Sequence, residues 1–176
     1  MNKKKILIAY YSRRGNNYVN GTIANLSVGN TEVAAKKIQA LIGGELFEIQ
    51  TVEPYPADYT KTTQAAQEEL AQNTRPALAG TVADISAYDT LFIGYPNWWS
   101  TMPMAVFAFL ETYDLAEKII FPFCTHEGSG LGRSEQDIKR LCPNSTIMPG
   151  LAIQGGRVHD AEKNITAWLK NQGVLT

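Results

Sequence analysis

The sequence is poor in the features that mark export, membrane insertion or nucleic-acid binding. It has two cysteines, and its 16 basic residues nearly balance 17 acidic ones. A near-neutral chain has no long-range attraction for nucleic acid or an anionic membrane. The apolar run from Ile6 to Tyr11 is too short for a secretory signal, and no segment reaches the length of a bilayer span. We therefore expect a cytoplasmic protein with reduced thiols and without nucleic-acid or membrane partners.

The sequence also lacks the motifs of metal sites and of hydrolases. His126 and Glu127 are adjacent, but no HExxH motif follows, and His159 is the only other histidine. A metal site is therefore not expected. Ser129 does not lie in a nucleophile elbow, because the second glycine of that motif is misplaced. Cys124 is interpreted as a small core residue at a strand end, so no catalytic residue is assigned.

Five short strand-like runs alternate with helical patterns, which predicts a parallel sheet covered by helices on both faces. The second run carries glutamates among its apolar residues, so we place it at an edge of the sheet. Proline cannot donate to a central ladder, so Pro122 predicts that the fourth run is interrupted or splayed. The runs lie at residues 5–10, 45–49, 90–95, 118–124 and within 146–153.

Apolar stripes at helical spacing predict helices between these runs. One stripe ends at Gly43-Gly44, and another begins just after Pro103. Ser134 and Asp137 have the spacing of a capping box for a helix through residue 141. Asp160 is the predicted N-cap of the last helix. A further helix is predicted at residues 58–73, and residues 12–29 are expected to be irregular. We expect a single domain over residues 1–176, with an irregular insertion at about 13–28 in the first strand–helix loop.

Three loops of unusual composition follow the carboxyl ends of the predicted strands, where an open parallel sheet binds its ligands. The first contains Gly29-Asn30-Thr31 directly before a helical pattern. Free backbone N–H groups, a hydroxyl and the positive end of a helix dipole would form a phosphate site there. Gly15-Asn16-Asn17 is similar, but the helical pattern begins near residue 33. We therefore place the phosphate at Asn30 and Thr31.

The other two loops offer a flat apolar surface and a close backbone approach. Trp98 and Trp99 follow the third strand, and adjacent side chains in an extended segment point to opposite sides. One indole would complete the core while the other contacts a planar ligand, and we expect Trp99 to be the second. The loop at residues 125–132 has three glycines within five positions, which lets its backbone approach a ligand closely.

Together these loops resemble those of the flavodoxin-like proteins, which hold FMN. The likeness covers nearly the whole chain, from Tyr-Tyr-Ser and Gly-Asn-Thr-Glu-Val-Ala to Gly-Tyr-Pro-Asn-Trp-Trp and Phe-Cys-Thr-His-Glu-Gly-Ser-Gly. It is greatest for a branch of small bacterial flavodoxin-like proteins. The resemblance implies a flavodoxin-like three-layer α/β sandwich, with a five-stranded parallel sheet in the order 2-1-3-4-5 and helices on both faces.

The resemblance also implies roles for individual residues in holding FMN. Ser12 is similar to the first hydroxyl of the phosphate loop, and Asn30, Thr31 and Glu32 to its helix-capping end. The loop over one face of the isoalloxazine corresponds to Pro96, Asn97, Trp98 and Trp99. The loop at the other edge of the ring corresponds to Thr125, His126, Glu127, Gly128, Ser129 and Gly130.

In function, the resemblance implies a protein that binds FMN and transfers electrons between a redox donor and an acceptor that the sequence does not identify. The alternative is an NAD(P)H-dependent FMN quinone reductase. The sequence departs from ordinary flavodoxins in residues 13–28, which intervene before Gly-Asn-Thr, and in having His126 and glycines in place of a second aromatic. A phosphorylation receiver is set aside, because residues 10–12 and 95–97 lack the aspartates that it needs.

Overall fold

The computed structural model describes residues 5–176, in which strands and helices alternate. Two 3₁₀ helices, Ile85–Ala87 and Gly155–Asp160, join longer elements. The strands are β1 (Ile6–Tyr10), β2 (Gly15–Val19), β3 (Thr22–Leu26), β4 (Glu45–Glu48), β5 (Thr90–Pro96), β6 (Ile119–His126), β7 (Thr146–Ile147) and β8 (Leu151–Gln154). The helices are α1 (Asn30–Ile42), α2 (Tyr59–Gln72), α3 (Met104–Thr112), α4 (Ser134–Leu141) and α5 (Glu162–Asn171).

A parallel sheet runs through the centre of the molecule in the order β4-β1-β5-β6, with β7 and β8 both on the far side of β6. The flavodoxin-like fold class and the edge position of β4 are confirmed, and the predicted fifth position is shared by two short strands. Tyr10 is in register with Gly94, and Tyr95 with Cys124. The carboxyl ends of β1, β5 and β6 therefore meet at one edge.

Helices cover both faces of this sheet because its central strands are apolar on both sides. Leu91 and Ile93 face one way and pack with Phe109 of α3, while Phe92 faces the other way, toward the core that contains Ile38 of α1. All five are fully buried. Burying a side chain of this size contributes about 1.5–3 kcal/mol, so the two cores hold the strand ends in a fixed geometry.

The strand that contains Pro122 is continuous, which corrects the predicted interruption. The register between β5 and β6 runs through Pro122, opposite Ile93. On the side of β6 away from β5, the Ile120 carbonyl accepts from the Met148 N–H. Backbone groups of alternate residues point to the same side of a strand, so the backbone of Pro122 also points away from β5. The missing N–H therefore points into the gap between β7 and β8. The strand at the fifth position of the sheet is divided into β7 and β8, whereas β6 is continuous.

Two predicted helix caps are wrong. Ser134 is the first residue of α4, and its hydroxyl donates to the Leu131 carbonyl at 2.6 Å and accepts from the Tyr95 hydroxyl at 2.8 Å. Asp137 accepts from the Thr101 hydroxyl, so both capping-box side chains serve tertiary contacts instead. The 3₁₀ helix that contains Asp160 continues directly into α5, whose N-cap is Ala161. The predicted helix at residues 58–73 is confirmed by α2, which Asp58 caps.

The prediction that residues 12–29 are irregular is wrong for residues 15–26. β2 and β3 pair as an antiparallel hairpin in register from Gly15 and Leu26 to Val19 and Thr22. Asn20 (φ 51°) and Gly21 (φ 84°) adopt the left-handed backbone of a two-residue type I′ turn. Asn-Gly is a strong signal for such a turn, but the polar strands beside it show little hydrophobic alternation. The insertion is therefore an ordered hairpin.

No helix in the described range combines the length and the apolar character needed to cross a membrane.

Candidate functional site

A cavity of about 300 Å³ opens where the carboxyl ends of β1, β5 and β6 meet. We call it the main cavity. The first turn of α1, the β2–β3 hairpin, the start of α2 and the loops after β5 and β6 form its walls. Nine residues singled out from the sequence line it: Asn30, Thr31, Pro96, Asn97, Trp98, Thr125, His126, Glu127 and Ser129. The others lie behind its walls or beside it: Ser12, Glu32, Trp99, Gly128 and Gly130.

The amino end of α1 presents unpaired backbone donors to the main cavity. Gly29 is the N-cap residue and supplies no side-chain cap. Within residues 5–176 no protein group accepts from the N–H groups of Asn30 and Thr31, whereas the Glu32 N–H donates to Ser12 Oγ at 3.0 Å. Such donors, at the positive end of a thirteen-residue helix, favour an anion.

Gly29 is required here because the first loop passes very close to it. A Cβ at this position would collide with Ser12 Oγ and with the Arg13 carbonyl oxygen. The absence of a side chain lets Ser12 approach the start of α1. The close approach therefore joins the first loop to the helix terminus that faces the cavity.

The competing segment, Gly15-Asn16-Asn17, has a different conformation. It opens β2, and the Asn17 side chain donates to the Arg13 carbonyl at 2.9 Å. Asn16 Oδ1 accepts from the Tyr59 N–H at 2.8 Å and so joins the hairpin to α2. No helix begins at this segment, so the helix terminus lies at Asn30, where the sequence predicts it.

A hydroxyl pair links the start of α1 to the loop after β6. Thr31 Oγ1 and Thr125 Oγ1 lie 2.7 Å apart and are both buried. Only one of the two hydroxyls can donate in this bond, so the proton of the other is free to point at a ligand oxygen. The pair therefore adds a donor to the backbone N–H groups.

Cationic side chains balance the negative charge of Glu32 behind the helix terminus. Its carboxylate accepts from Arg14 at 3.0 Å and from Lys36 at 2.7 Å. Burial on its own raises the pKa of Glu32, but these two hydrogen bonds outweigh it and hold the pKa below its ordinary value. Arg14 also pairs with Glu48 at 3.0 Å, so this arginine neutralises carboxylates and is not a free anion ligand.

A tight, left-handed turn carries the two tryptophans after β5. The Trp98 N–H donates to the Thr101 carbonyl at 2.8 Å, and the Thr101 N–H donates back at 3.2 Å. The two residues between them, Trp99 (φ 53°) and Ser100 (φ 67°), are left-handed. This backbone costs about 1–2 kcal/mol for each non-glycine residue. The Arg133 N–H holds the turn by donating to the Ser100 carbonyl at 2.8 Å.

The two indoles of this turn occupy different places. Trp98 lines the main cavity and makes edge contacts with Tyr11 and Tyr55, with ring centroids 5.3 and 5.1 Å apart. Trp99 is 46% exposed, and its Nε1–H donates to the Thr63 carbonyl of α2 at 2.9 Å. The sequence favours Trp99 as the ligand-contacting indole, and that prediction stays untested. Trp98 is nevertheless the indole that shares a cavity with the start of α1.

Asn97 fixes the distance between the two loops that flank the cavity. Its N–H donates to the Thr125 carbonyl at 2.8 Å, and its Nδ2 donates to the Gly130 carbonyl at 2.8 Å. Its Oδ1 accepts from the Ser100 N–H at 3.0 Å. This single side chain therefore bridges the tryptophan turn and the loop after β6.

The loop after β6 presents a neutral imidazole. His126 Nδ1 accepts from the Gly128 N–H at 2.9 Å, so the proton of the neutral ring is on Nε2. Burial lowers the pKa of His126, partly opposed by the charge of Glu127. Gly128 (φ 133°) and Gly130 (φ 61°) adopt backbone angles that favour glycine, which explains the glycines that the sequence places here.

Glu127 has one carboxylate oxygen without a partner. Its Oε2 accepts from the Asn20 N–H at 2.9 Å. Its Oε1 is buried and has no hydrogen-bond partner in the described part of the chain, although Glu127 lines the cavity. A buried acceptor without a donor costs about 1–3 kcal/mol, and more when it is charged. A ligand that brings a donor would remove this penalty.

The hairpin supplies a wall that the sequence interpretation missed. Tyr18 of β2 lines the main cavity and stacks on Tyr59 of α2, with ring centroids 6.1 Å apart and an interplanar angle of 24°. Asn17 and Gly155 line it as well. The Asn20-Gly21 turn is the sequence signal that could have revealed this wall, because it predicts two paired strands directly before Gly29-Asn30-Thr31.

A second cavity of about 290 Å³ adjoins the main cavity and shares Trp98, Asn97, Tyr59 and Arg13 with it. Trp99 and three residues of α2 complete its walls, and none of its lining residues is acidic. We call it the side cavity. Its flat apolar walls and single cationic residue suit a small planar ligand that is neutral or negatively charged.

Neither a metal centre nor a reactive thiol is evident in residues 5–176. No group of three histidine, cysteine, aspartate or glutamate side chains there could hold a metal ion. Cys124 and Cys142 are buried and unpaired. Burial raises the pKa of the Cys124 thiol to about 12 and that of Cys142 to about 11, so neither is a nucleophile at neutral pH.

The main cavity therefore combines three kinds of binding group. Backbone and hydroxyl groups at the start of α1 can donate to an anion, the unpartnered Glu127 Oε1 can accept a hydrogen bond, and Trp98 offers an aromatic surface. A ligand that joins an anion, a hydroxylated segment and a planar ring would satisfy all three at once.

Comparisons with known proteins agree with this fold. A family model described as flavodoxin matches residues 5–172. A candidate flavoprotein from Bacteroides eggerthii DSM 20697 shares 31% identity over 96% of this chain and 98% of its own, with a TM-score of 0.76. A flavoprotein from Lactobacillus acidophilus NCFM, solved in complex with FMN, shares 23% identity over 90% and 98% of the chains, with a TM-score of 0.67. No curated protein shows significant similarity to the chain.

Proposed function

The chain belongs to the flavodoxin family, and from that premise we propose that it binds FMN in the main cavity and transfers electrons. One observation carries the proposal. Asn30 and Thr31, whose N–H groups are unpaired in the described residues, line the same cavity as Trp98. The cavity thus offers an anion site and an aromatic wall, which suit the two ends of FMN.

The amino end of α1 would hold the phosphate. The N–H groups of Asn30 and Thr31 donate to its oxygens, and the hydroxyl pair of Thr31 and Thr125 adds a further proton. Donors on a helix terminus keep their positions whether or not the anion is present, so little reorganisation opposes binding. Arg14 stays with Glu32 and Glu48. Arg13 also lines the cavity, but its guanidinium donates to the carbonyls of Asn16, Pro56 and Ala57. Recognition of the phosphate would then rest mainly on neutral donors and the helix dipole.

The loops after β5 and β6 would hold the ring. Trp98 provides an apolar wall whose position is fixed by its contacts with Tyr11 and Tyr55. His126 brings a neutral imidazole to the same cavity, and its Nε2–H is the free donor of that ring. Asn97 keeps the two loops at a constant separation. These residues orient the ring and exclude water from it.

When bound, FMN supplies the electron-carrying chemistry, and the chain determines its position and access. Cys124, which precedes Thr125 of the cavity wall, offers no thiolate, because burial raises the pKa of its thiol to about 12. The near-neutral net charge of −1 provides no strong field to steer a charged redox partner. Specificity for the donor and acceptor would then arise from short-range contacts around the mouth of the cavity.

The side cavity favours a second candidate function, an NAD(P)H-dependent FMN quinone reductase. A carrier needs only an exposed ring edge, whereas a reductase needs room for a second planar molecule beside the ring. The side cavity shares Trp98 with the main cavity and is lined by Trp99 and α2. The reduced nicotinamide ring and the quinone ring are both planar and uncharged. Either ring would suit the flat, apolar walls of the side cavity.

Anaerobic stopped-flow mixing separates the two functions. Protein loaded with FMN is mixed with excess NADH or NADPH, and the flavin absorbance is followed. A carrier keeps its colour with both nucleotides and loses it with dithionite. Bleaching by either nucleotide faster than that of free FMN supports the reductase. Protein that takes up no FMN would overturn the proposal itself.

A further inference from the structure

Glu127 occupies a position between the hairpin and the main cavity. One oxygen, Oε2, accepts from the Asn20 N–H at the hairpin tip, at 2.9 Å. The other, Oε1, is buried without a partner in the described residues. The same carboxylate therefore contacts the two-residue turn of the hairpin with one oxygen, while the other oxygen belongs to a residue that lines the main cavity.

The unpartnered oxygen lies at the corner of the cavity next to the start of α1. A Cβ on Gly155 would collide with both Glu127 Oε1 and Asn30 Nδ2, so these two atoms flank the same small space. The corner thus lies between Asn30, at the start of α1, and Glu127, in the loop after β6. A ligand group that reaches it would belong to the segment that joins the phosphate to the ring.

The hairpin is anchored more firmly at its base than at its tip. At the base, Arg13 donates to the Pro56 and Ala57 carbonyls at 3.1 and 2.9 Å, and Asn16 accepts from the Tyr59 N–H. At the tip, the bond to Glu127 joins Asn20 to the loop after β6, and the Asn20 side chain lies against Gly156. The hydrogen bond that joins the hairpin tip to the loop after β6 therefore depends on the orientation of the Glu127 carboxylate.

We propose that Glu127 is a positioning residue that accepts a hydrogen bond from a hydroxyl of the flavin side chain through Oε1 and fixes the hairpin tip through Oε2. The inference rests on the proposed binding of FMN. Occupation of Oε1 fixes the rotamer that Oε2 needs to hold Asn20, so ligand and hairpin stabilise each other. The protein therefore distinguishes flavins that carry a hydroxylated chain from those that do not.

Binding of riboflavin and lumiflavin tests the recognition of the chain, because both have the isoalloxazine ring and only riboflavin has the hydroxyls. Flavin fluorescence titration should show that Glu127→Ala weakens riboflavin binding by about tenfold and leaves lumiflavin nearly unchanged. Glu127→Gln keeps an acceptor oxygen of the same reach and should recover part of the difference. An equal loss for both flavins would show that Oε1 contacts the ring, and would overturn the proposal.

Glu135→Ala is the matched control. Glu135 Oε1 accepts from a backbone N–H, that of Gly150, at 2.7 Å, and the residue does not line the main cavity. This variant loses a bond of the same kind and should bind both flavins as the unmodified protein does. A loss of riboflavin affinity in Glu135→Ala equal to that in Glu127→Ala would assign the effect to general destabilisation and contradict the proposal.

Hydrogen exchange at the Asn20 amide gives a readout that does not depend on affinity. With each flavin at saturation, riboflavin should slow this exchange in the unmodified protein, and lumiflavin should slow it less. Glu127→Ala should abolish the difference between the two flavins. Equal protection by both in the unmodified protein would refute the coupling while leaving FMN binding intact. Failure of every flavin to bind would instead refute the proposed function.

Discussion

The two ends of the main cavity are built from different kinds of structure. The phosphate end, which comprises Ser12, Gly29, Asn30 and Thr31, consists of backbone donors at the start of a long helix. The ring end, residues 97–101 and 125–130, consists of loops with left-handed backbone at Trp99, Ser100, Gly128 and Gly130. If FMN binds as proposed, recognition would depend on main-chain donors and a hydroxyl pair at the first end and on aromatic and imidazole side chains at the second. Substitutions at the two ends should therefore have distinguishable effects on different flavins.

The largest effect is expected where the geometry of the phosphate end is tightest. Gly29→Ala would place a methyl group against Ser12 Oγ and the Arg13 carbonyl. Overpacking of this kind costs about 1–3 kcal/mol of stability, and the displaced helix start should lose most of its FMN affinity. Urea unfolding and FMN titration measure both quantities.

Gly80→Ala is the control for that variant. A Cβ at Gly80 would meet only Phe47, at an ordinary contact distance of 3.9 Å. This variant should keep both its stability and its FMN affinity. If Gly29→Ala behaves as Gly80→Ala does, the close approach at the phosphate end is not important for binding.

The next effect separates the phosphate end from the ring end directly. Thr31→Val removes a hydroxyl from the anion site, and a hydrogen bond to a charged group contributes about 1.5–3 kcal/mol. FMN affinity should fall by roughly ten- to a hundredfold, whereas riboflavin, which lacks the phosphate, should be almost unaffected. Thr90→Val, at the opposite end of β5, should change neither. Equal losses for FMN and riboflavin would place the phosphate elsewhere.

At the ring end, the corresponding variant should affect both flavins alike. Trp98→Leu removes an aromatic surface whose contact contributes about 0.5–1.5 kcal/mol. FMN and riboflavin affinity should then fall by the same factor, roughly two- to tenfold. Trp99→Leu should have the smaller effect, since Trp99 lines the side cavity and bonds to α2. The opposite ranking would restore Trp99 as the stacking residue.

Indole fluorescence gives an independent ranking of the same two residues. The indole of Trp168 on α5 is buried on the opposite face of the sheet and donates to the Pro149 carbonyl. Its fluorescence serves as a reference in each variant. FMN should quench Trp99→Leu more strongly than Trp98→Leu, because the first variant retains the indole in the main cavity. Equal quenching in both variants would contradict the assignment.

The smallest effect concerns pH. The pKa of Glu32 is lowered in the folded protein, from an ordinary value of 4.5, so its charged form stabilises the fold. This contribution is complete above the ordinary pKa and is lost as the pH falls through the lower, folded-state pKa. Glu32→Gln should be less stable than the unmodified protein at pH 6 and nearly equal to it at the acid end. Urea midpoints measured across this range should show the stability curves of the two proteins converging as the pH falls. Curves that stay parallel would contradict the stabilising role of the charged Glu32.

The sequence predicts the frame of the molecule because hydrophobic periodicity sets it. Continuous apolar runs give β1 and β5, and helical stripes give α1 and α3. The same reasoning misjudged Pro122, since periodicity does not reveal that the neighbouring strand divides into β7 and β8 at that point. The Ser134–Asp137 spacing also predicted a local cap, whereas burial directs both side chains to tertiary partners.

The candidate site is only partly visible in the sequence. Gly29-Asn30-Thr31 could be located because a helix start limits where an anion site can be. The contacts of Glu127 with Asn20, and of Tyr18 with Tyr59, join residues far apart in the chain. No local pattern encodes them. The hairpin itself was predictable from Asn20-Gly21, but its position over the cavity follows only from the folded structure.

Side-by-side equilibrium titration of the flavin-free protein with FMN and with riboflavin tests the central claim most directly. If the unpaired donors at the start of α1 hold the phosphate, both ligands bind and FMN binds at least about tenfold more tightly, because its phosphate accepts charge-assisted hydrogen bonds. Equal affinity for the two ligands, or no binding of FMN, would contradict the account.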